Sequence, residues 1–157
     1  MIVAIPMDAR ERVYHKNPCS ATFFALYEVN GDRHHVHYRF LETKLNPWEK
    51  WEGEMVRDPD MKACQCSNEK KEDPQHISEH YTLLKALGKT DYLLADLYCL
   101  NTLYTMRDVG IKIYKLPPFI KNGDEAIHHF IIGSGIADDL RRIHLTAPSP
   151  TARLQER

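Results

Sequence analysis

The sequence has little glycine and no glycine-rich phosphate motif. It contains 7 glycines among 157 residues, and none of them belongs to a Walker or Gly-x-Gly-x-x-Gly pattern. It also lacks any apolar stretch approaching the ~18 residues that a membrane-spanning helix needs. The apolar start at residues 2–5 ends at Pro6, which is too short for a signal peptide. These absences predict a cytoplasmic protein with no membrane partner and no standard nucleotide-binding loop.

Neither sign of charge is in excess, and cysteine is sparse. Lys and Arg number 21 and Asp and Glu number 22, so the formal net charge is -1. Proteins that bind nucleic acid usually carry a basic excess, so the composition predicts no nucleic-acid partner. The 4 cysteines cannot form a dense disulfide framework. In a reducing compartment, cysteines are more often free thiols or metal ligands than disulfide partners.

Length and composition predict one compact domain. Hydrophobic residues make up 43% of the chain and charged residues 27%, as in most soluble globular proteins. We expect a single α/β domain over residues 1–145. Within it, residues 42–73 combine prolines, tryptophans and many charges and predict a long inserted loop. Residues 146–157 predict a flexible tail.

Hydrophobic patterning predicts the element order β-β-β-α-β-α-β-α. The predicted strands lie at residues 2–5, 23–29, 35–41, 92–95 and 111–114. Asn30 and Gly31 predict a tight hairpin turn after the second strand. Helices are predicted between residues 73 and 88, 100 and 110, and 122 and 133, with a short final helix near residues 136–143.

Strand–helix–strand units indicate a parallel core, and the hairpin adds one antiparallel strand. The fold class expected is therefore α/β, with a mixed five-stranded sheet. Ligands in such sheets bind beyond the carboxyl ends of the parallel strands. In this sequence those ends carry residues 6–9, 96–99 and 116–118.

Five segments have a characteristic pattern and order: residues 2–6 (IVAIP), 21–29 (ATFFALYEV), 83–88 (LLKALG), 91–94 (DYLL) and 110–114 (GIKIY). Together they resemble the dinitrogenase iron–molybdenum cofactor-binding family, the NifX-like domains also found at the C-terminus of NifB. The resemblance covers about residues 1–41 and 76–133.

The resemblance implies a ribonuclease-H-like three-layer fold. It also implies binding or carriage of an iron–sulfur or molybdenum-containing cluster, without catalysis, with metallocofactor assembly or acceptor proteins as partners. Residues 17–20 (NPCS) replace the family's His/Ser-Phe-Gly segment, and residues 96–99 (DLYC) replace its glycine-rich loop. The loop at residues 42–73 is also longer than in the family. Only the fold and the general class of function therefore carry over.

Two cysteines lie at the expected carboxyl end of the sheet. Cys99 precedes a predicted helix, whose N-terminus favours a thiolate, and Cys19 lies in the segment that leaves the first strand. We expect Cys19 and Cys99 to bind one soft metal ion or an iron–sulfur or iron–molybdenum-type cluster. The alternatives are that Cys99 is a small buried apolar residue and that Cys19 is a loop residue with no partner.

Four further residues could supply metal ligands. Cys64 and Cys66 are separated by one residue and can chelate a soft ion, although a structural zinc site needs four ligands. His76 and His80 are four residues apart and share a helix face, so they could complete the set. The alternatives are an exposed, redox-labile thiol pair and a solvated helix face.

Asp8 and Asp96 end two neighbouring parallel strands and are also candidate cofactor-binding residues. Paired carboxylates can hold Mg²⁺ for a nuclease-like reaction, but no third acid is evident at this end. Asp8 could instead accept hydrogen bonds from loop amides. Because no nucleophile–base pair is evident, the sequence predicts a metallocofactor carrier rather than an enzyme. A metal-free protein-interaction module with the same fold is the main alternative.

Overall fold

The structure is a computed structural model, which describes residues 1–31, 35–47, 74, 81 and 83–136. Within these residues it contains five strands, three α-helices and one 3₁₀ helix. In chain order they are β1 (Ile2–Met7), the 3₁₀ helix (Pro18–Ser20), β2 (Phe23–Gly31), β3 (Val36–Leu45), α1 (Leu84–Leu87), β4 (Tyr92–Ala95), α2 (Leu100–Asp108), β5 (Lys112–Lys115) and α3 (Gly123–Gly133).

The strands form one mixed sheet in the order β3-β2-β1-β4-β5. β1 pairs antiparallel with β2 and parallel with β4. β3 pairs antiparallel with β2, and β5 pairs parallel with β4. Among the described strands, β2 alone runs against the other four. The predicted α/β class with a mixed five-stranded sheet is therefore confirmed.

Helices cover both faces of the sheet. On one face, Ile127 and Phe130 of α3 pack in the same cluster as Val3 and Ile5 of β1. On the other face, α1 and α2 pack against the remaining side of β1 and against β2. β1 thus lies between two apolar layers, which explains its continuous apolar sequence.

Helix α3 begins with a well-formed cap. The Oδ1 atom of Asn122 accepts a hydrogen bond from the backbone N–H of Glu125 at 2.9 Å, as an N-cap residue does. A side chain at Gly123 would collide with the hydroxyl of Tyr27, so only glycine allows this approach of helix and sheet. None of the helices in the described ranges is long and apolar enough to cross a membrane.

The predicted hairpin turn at Asn30 and Gly31 is wrong. Asn30 pairs with His37 and Gly31 pairs with Val36, so both residues belong to β2. The connection between β2 and β3 lies between Gly31 and Val36. Continued ladder pairing with β3 outweighs the local turn preference of Asn-Gly, because register is set over the whole pair of strands.

The predicted end of the third strand at residue 41 is also wrong, since β3 continues to Leu45. Glu42 lies opposite Leu26 and Phe40 lies opposite Tyr27, so Leu41 is the extra residue of a bulge. A bulge interrupts the alternation of apolar and polar side chains, which is why the sequence pattern stopped there. The predicted loop at residues 42–73 is wrong at its start, because residues 42–45 belong to β3. The rest of that loop from residue 48, the final helix beyond residue 136 and the tail at residues 146–157 lie outside the described residues.

Two substitutions on α3 test how this helix contributes to stability. Phe130 has no exposed surface, whereas Ile132 is 83% exposed. We expect Phe130→Ala to lower the free energy of unfolding by about 3–5 kcal/mol, because it leaves a cavity under the sheet. Ile132→Ala, the control on the same helix, should change it by less than about 0.5 kcal/mol. Denaturant unfolding at neutral pH measures both, and equal losses would contradict this packing.

Candidate metal-binding site at the carboxyl end of the sheet

Asp8 closes the turn that follows β1. Its Oδ1 atom accepts hydrogen bonds from the backbone N–H groups of Arg10 at 2.8 Å and Arg12 at 3.0 Å. Its Oδ2 atom is 3.5 Å from Nε of Arg12. Glu11 adopts a left-handed backbone conformation in this turn, with φ of 61°. The carboxylate of Asp8 is thus occupied by loop amides, the alternative use that the sequence allowed.

After this turn the chain returns beside β1. The N–H of Tyr14 donates to the carbonyl oxygen of Pro6 at 2.8 Å, and the N–H of Val13 donates to that of Lys121 at 2.9 Å. The second bond joins the segment to the loop that follows β5. Residues 15–19 are thereby placed against the end of β4 and the start of α2.

His15 joins two loops at this end of the sheet. Its Nδ1 atom lies 2.9 Å from Oδ2 of Asp96, and its Nε2 atom lies 2.5 Å from the carbonyl oxygen of Ile120. A carbonyl oxygen can only accept, so Nε2 carries a proton and donates it. Lys115 adds a hydrogen bond from Nζ to the backbone oxygen of Asp96 at 2.7 Å, and its Nζ is 3.8 Å from Oδ1 of the same residue. The Asp96 carboxylate, with a side chain 10% exposed, is therefore oriented from two sides.

Cys19 and Cys99 meet at the hydroxyl of Thr102. The Sγ of Cys19 lies 3.5 Å from Oγ1 of Thr102, and the Sγ of Cys99 lies 3.3 Å from the same oxygen. Because both sulfur atoms contact the same oxygen, the two cysteines lie close together in space, although 80 positions separate them in sequence. We call Cys19 and Cys99 the thiol pair. The structure thus brings together the two cysteines that the sequence placed at one end of the sheet.

Asn17 holds the thiol pair in place. Its Nδ2 atom donates to Sγ of Cys99 at 3.5 Å, and its Oδ1 atom accepts from Oγ1 of Thr102 at 3.1 Å. The same Oδ1 accepts from the backbone N–H of Cys19 at 3.3 Å. Asn17 and Thr102 have no exposed surface, and the cysteines are 2% and 5% exposed. The four side chains form a buried polar network.

The sequence predicts four further metal ligands. Cys64, Cys66, His76 and His80 all lie outside the described residues. Within the described ranges, no three side chains of His, Cys, Asp or Glu are placed to hold one metal ion. The described part of the chain therefore supplies two soft donors, the thiol pair, and no third ligand of these types.

A cleft of about 540 Å³ opens between the segment after β1 and the loop after β5. Its lining includes Arg12, His15, Lys16 and Lys121, with Asp8 as the one acidic residue. Phe119, which is 69% exposed, forms part of its wall. We call this the basic cleft. Because cations outnumber the one acid among its charged lining residues, the cleft favours anionic ligands.

Most of the residues that organise this site are not evident from the sequence patterns. Thr102 follows Cys99 by three residues and therefore shares its helix face, a signal that was available. Asn17 immediately precedes Pro18 and caps the 3₁₀ helix, but nothing in the sequence connects it to Cys99. His15 and Asp96 meet through tertiary contacts, which spacing does not report.

A further buried polar atom lies on the same helix. The Nδ2 atom of Asn101 is buried and finds no hydrogen-bond acceptor in the part of the chain that the structure describes. Asn101 is adjacent to Thr102 and two residues from Cys99. A buried donor without an acceptor lowers stability by about 1–3 kcal/mol. The side chain of Asn101 is therefore a destabilising feature near the start of α2.

Comparison with known proteins assigns no family. No family model and no curated protein matches the chain. The crystal structure of PH0822 aligns with 85% of this chain and 92% of its own chain, with 15% sequence identity and a TM-score of 0.44. Similarity at this level carries no argument about function.

Substitution of His15 tests the connection between the two loops. We expect His15→Ala to lower the free energy of unfolding by about 1–3 kcal/mol, because Asp96 and the Ile120 carbonyl lose their shared hydrogen-bond partner. The amide hydrogen of Val13, which bonds to Lys121, should exchange faster with solvent. Hydrogen exchange followed by NMR measures this locally.

The exposed His37 on β3 provides the matched control. His37→Ala should leave the exchange rate of the Val13 amide and the unfolding free energy nearly unchanged, as surface substitutions usually do. An unchanged Val13 exchange rate in His15→Ala would contradict the role given to His15.

Proposed function

We propose that the protein binds a metal ion or an iron–sulfur or molybdenum-type metallocofactor as cargo, through cysteine thiolates at the carboxyl end of its sheet. Its role would be carriage or assembly of the metallocofactor rather than catalysis, with assembly or acceptor proteins as partners. The observation that carries the proposal is that Cys19 and Cys99 both contact the hydroxyl of Thr102. Two thiols at one point form a donor set that favours soft metals.

We also propose that the fold is ribonuclease-H-like and that the chain is a NifX-like domain. The strand order β3-β2-β1-β4-β5, with only β2 reversed among the described strands, supports the first assignment. The segments that resemble the family lie largely on these strands and on α1. The site lies beyond the carboxyl ends of β1, β4 and β5, where ligands of parallel sheets usually bind.

The thiol pair fits a soft ion better than it fits a complete cluster. An iron–sulfur cluster is commonly held by four thiolates, and the described residues provide two. The proposal therefore requires further ligands, for which Cys64, Cys66, His76 and His80 are the candidates within this chain. Asp8 and Asp96 are less suitable as ligands, because loop amides and the His15–Lys115 pair already occupy their oxygens.

The charge of the basic cleft supports an anionic cargo. Thiolate-bound metal centres and metal–sulfur clusters often carry net negative charge, and the cleft has Arg12, Lys16 and Lys121 in its lining. The cations of this cleft would attract such a cargo over a distance of about one Debye length, near 8–10 Å at physiological salt. In this proposal, the cleft attracts the anionic cargo and the thiol pair coordinates its metal.

A metal-free interaction module is the second candidate, and one observation favours it. Hydrogen bonds to Asn17 and Thr102 already engage the sulfurs of the thiol pair. A protein that kept the fold and lost its cargo would have this arrangement. A Mg²⁺-dependent nuclease-like enzyme is disfavoured, because Asp8 and Asp96 each have other polar partners.

Metal analysis of protein purified without oxygen tests the proposal. The wild-type chain should carry bound metal, measured by elemental analysis, with visible absorption if the metal is iron in a sulfur environment. Cys19→Ser and Cys99→Ser should each remove most of the metal, because each deletes one of two thiolates. Cys64→Ser with Cys66→Ser tests whether that pair supplies the missing ligands.

Ser20→Ala is the matched control. Ser20 follows Cys19 in the same 3₁₀ helix and is buried, but it contributes no sulfur, so its metal content should equal that of the wild type. Unfolding curves of all variants separate loss of a ligand from loss of the fold. Colourless, metal-free wild-type protein, or cysteine variants with undiminished metal, would reject the carrier proposal in favour of the interaction module.

A further inference from the structure

A second cavity, of about 340 Å³, lies beside the N-terminus of α3. β1, β2 and β3 each contribute to its walls, together with the turn after β1. The lining includes three aromatic side chains, Phe23, Tyr27 and Phe40, and two carboxylates, those of Glu11 and Asp124. We call this the aromatic pocket. Its volume is at the lower end of the ~300–1,000 Å³ typical of small-molecule sites.

The aromatic rings leave ring surface available in the pocket. Tyr27 and Phe40 are in edge contact, with ring centroids 5.5 Å apart and an interplanar angle of 71°. Tyr27 is 9% exposed and belongs to the core, whereas Phe40 is 52% exposed. A phenylalanine that lines a cavity and is half exposed can offer its ring to a ligand. The faces of such rings attract cations, and weakly hydrated alkylated ammonium ions are bound in this way.

The charged residues that line the pocket are all acidic. Glu11 and Asp124 are acidic, and none of the lining residues, all of which lie in the described part of the chain, is basic. Burial first, and then the carboxylate of Asp124, raise the pKa of Tyr27 above its ordinary value. Burial alone raises a phenol pKa, and the nearby carboxylate of Asp124 adds to it because it disfavours a further negative charge.

The N-terminus of α3 does not reverse this charge. The side chain of Asn122 already accepts from the N–H of Glu125, so one of the free amides at the helix start is occupied. Asp124 and Glu125 lie in the first turn and oppose the partial positive charge there. The helix end therefore leaves the pocket acidic rather than suited to an anion.

The local backbone is adapted to this pocket at two positions. Glu11 has a φ of 61°, a conformation that non-glycine residues seldom adopt. It places an acidic residue at the pocket. Gly123 admits the hydroxyl of Tyr27 against the helix, where any Cβ would collide. Both features keep the carboxylates and rings around one space.

We propose that the aromatic pocket binds a small alkylated ammonium cation, of which choline is the simplest representative. The rings would contact the methyl groups, and Glu11 and Asp124 would supply the opposite charge. A bare Ca²⁺ fits less well, because it takes six to eight oxygen ligands and the lining includes only two carboxylates. A primary ammonium has three N–H donors to satisfy, whereas a quaternary one such as choline has none. This inference is independent of the metallocofactor proposal.

Equilibrium binding of choline to the full chain tests the inference. Titration calorimetry or NMR shift changes should detect choline, and its neutral isostere 3,3-dimethylbutan-1-ol should bind at least about tenfold more weakly. Phe40→Leu should weaken choline binding about fivefold, the size of one cation–aromatic contact. Asp124→Asn should also weaken it, and added salt should reduce the affinity of the wild type.

The control is Tyr104→Leu, which removes an exposed aromatic residue from α2, where Tyr104 is 43% exposed and lines no part of the pocket. It should leave choline affinity unchanged. Because Phe40 is half exposed, Phe40→Leu should fold even if Asp124→Asn does not. Equal binding of choline and its isostere, or an unchanged affinity in Phe40→Leu, would overturn the proposal.

A second arm of the experiment identifies the source of the cation. If phosphatidylcholine vesicles bind in addition to free choline, and Phe40→Leu weakens both, the ligand is a lipid headgroup. If free choline binds and vesicles do not, it is a free small molecule. Either result supports the inference, and binding of neither contradicts it.

Discussion

Asn17 is completely buried, so its amide must find hydrogen-bond partners inside the protein, and those partners determine the site. Its oxygen accepts from Thr102 and its nitrogen donates to Cys99, which fixes the segment between β1 and β2 against the start of α2. An unsatisfied buried amide would cost about 1–3 kcal/mol. The proximity of Cys19 and Cys99 therefore follows from a requirement of folding, whatever the site binds. The same requirement keeps both sulfurs away from solvent, so the proposed cargo would reach them only after local movement of the chain.

The parallel pairing of β1 with β4 makes this arrangement possible. It places the ends of both strands at one edge, so that His15 meets Asp96 and, two residues later, Asn17 meets Cys99. Polar contacts thus join residues 15–17 to residues 96–99, and the basic cleft lies at one side of these segments. The turn at Asp8 to Arg12 borders two cavities of different character. Arg12 lines the basic cleft, and Glu11 lines the aromatic pocket.

The sequence predicted the sheet more successfully than the details of the site. β4 was placed at residues 92–95, where the structure has it, because a short apolar run between polar residues has few alternatives. The end of β3 was missed because the bulge at Leu41 interrupts the alternation on which the prediction depended. The Asn30-Gly31 turn was wrong because a local preference was outweighed by ladder pairing. The proximity of Cys19 and Cys99 could be predicted, because the parallel strands before them end at one edge of the sheet. The contacts of Asn17 and His15 are tertiary and leave no periodic pattern in the sequence.

X-ray absorption at the metal edge of anaerobically prepared protein tests the central claim most directly. The carrier account predicts sulfur neighbours about 2.3 Å from the metal, the usual thiolate distance for zinc. It further predicts that Cys99→Ala reduces the number of sulfur neighbours. A metal shell of oxygen and nitrogen alone, or a sulfur count that Cys19→Ala and Cys99→Ala leave unchanged, would contradict it.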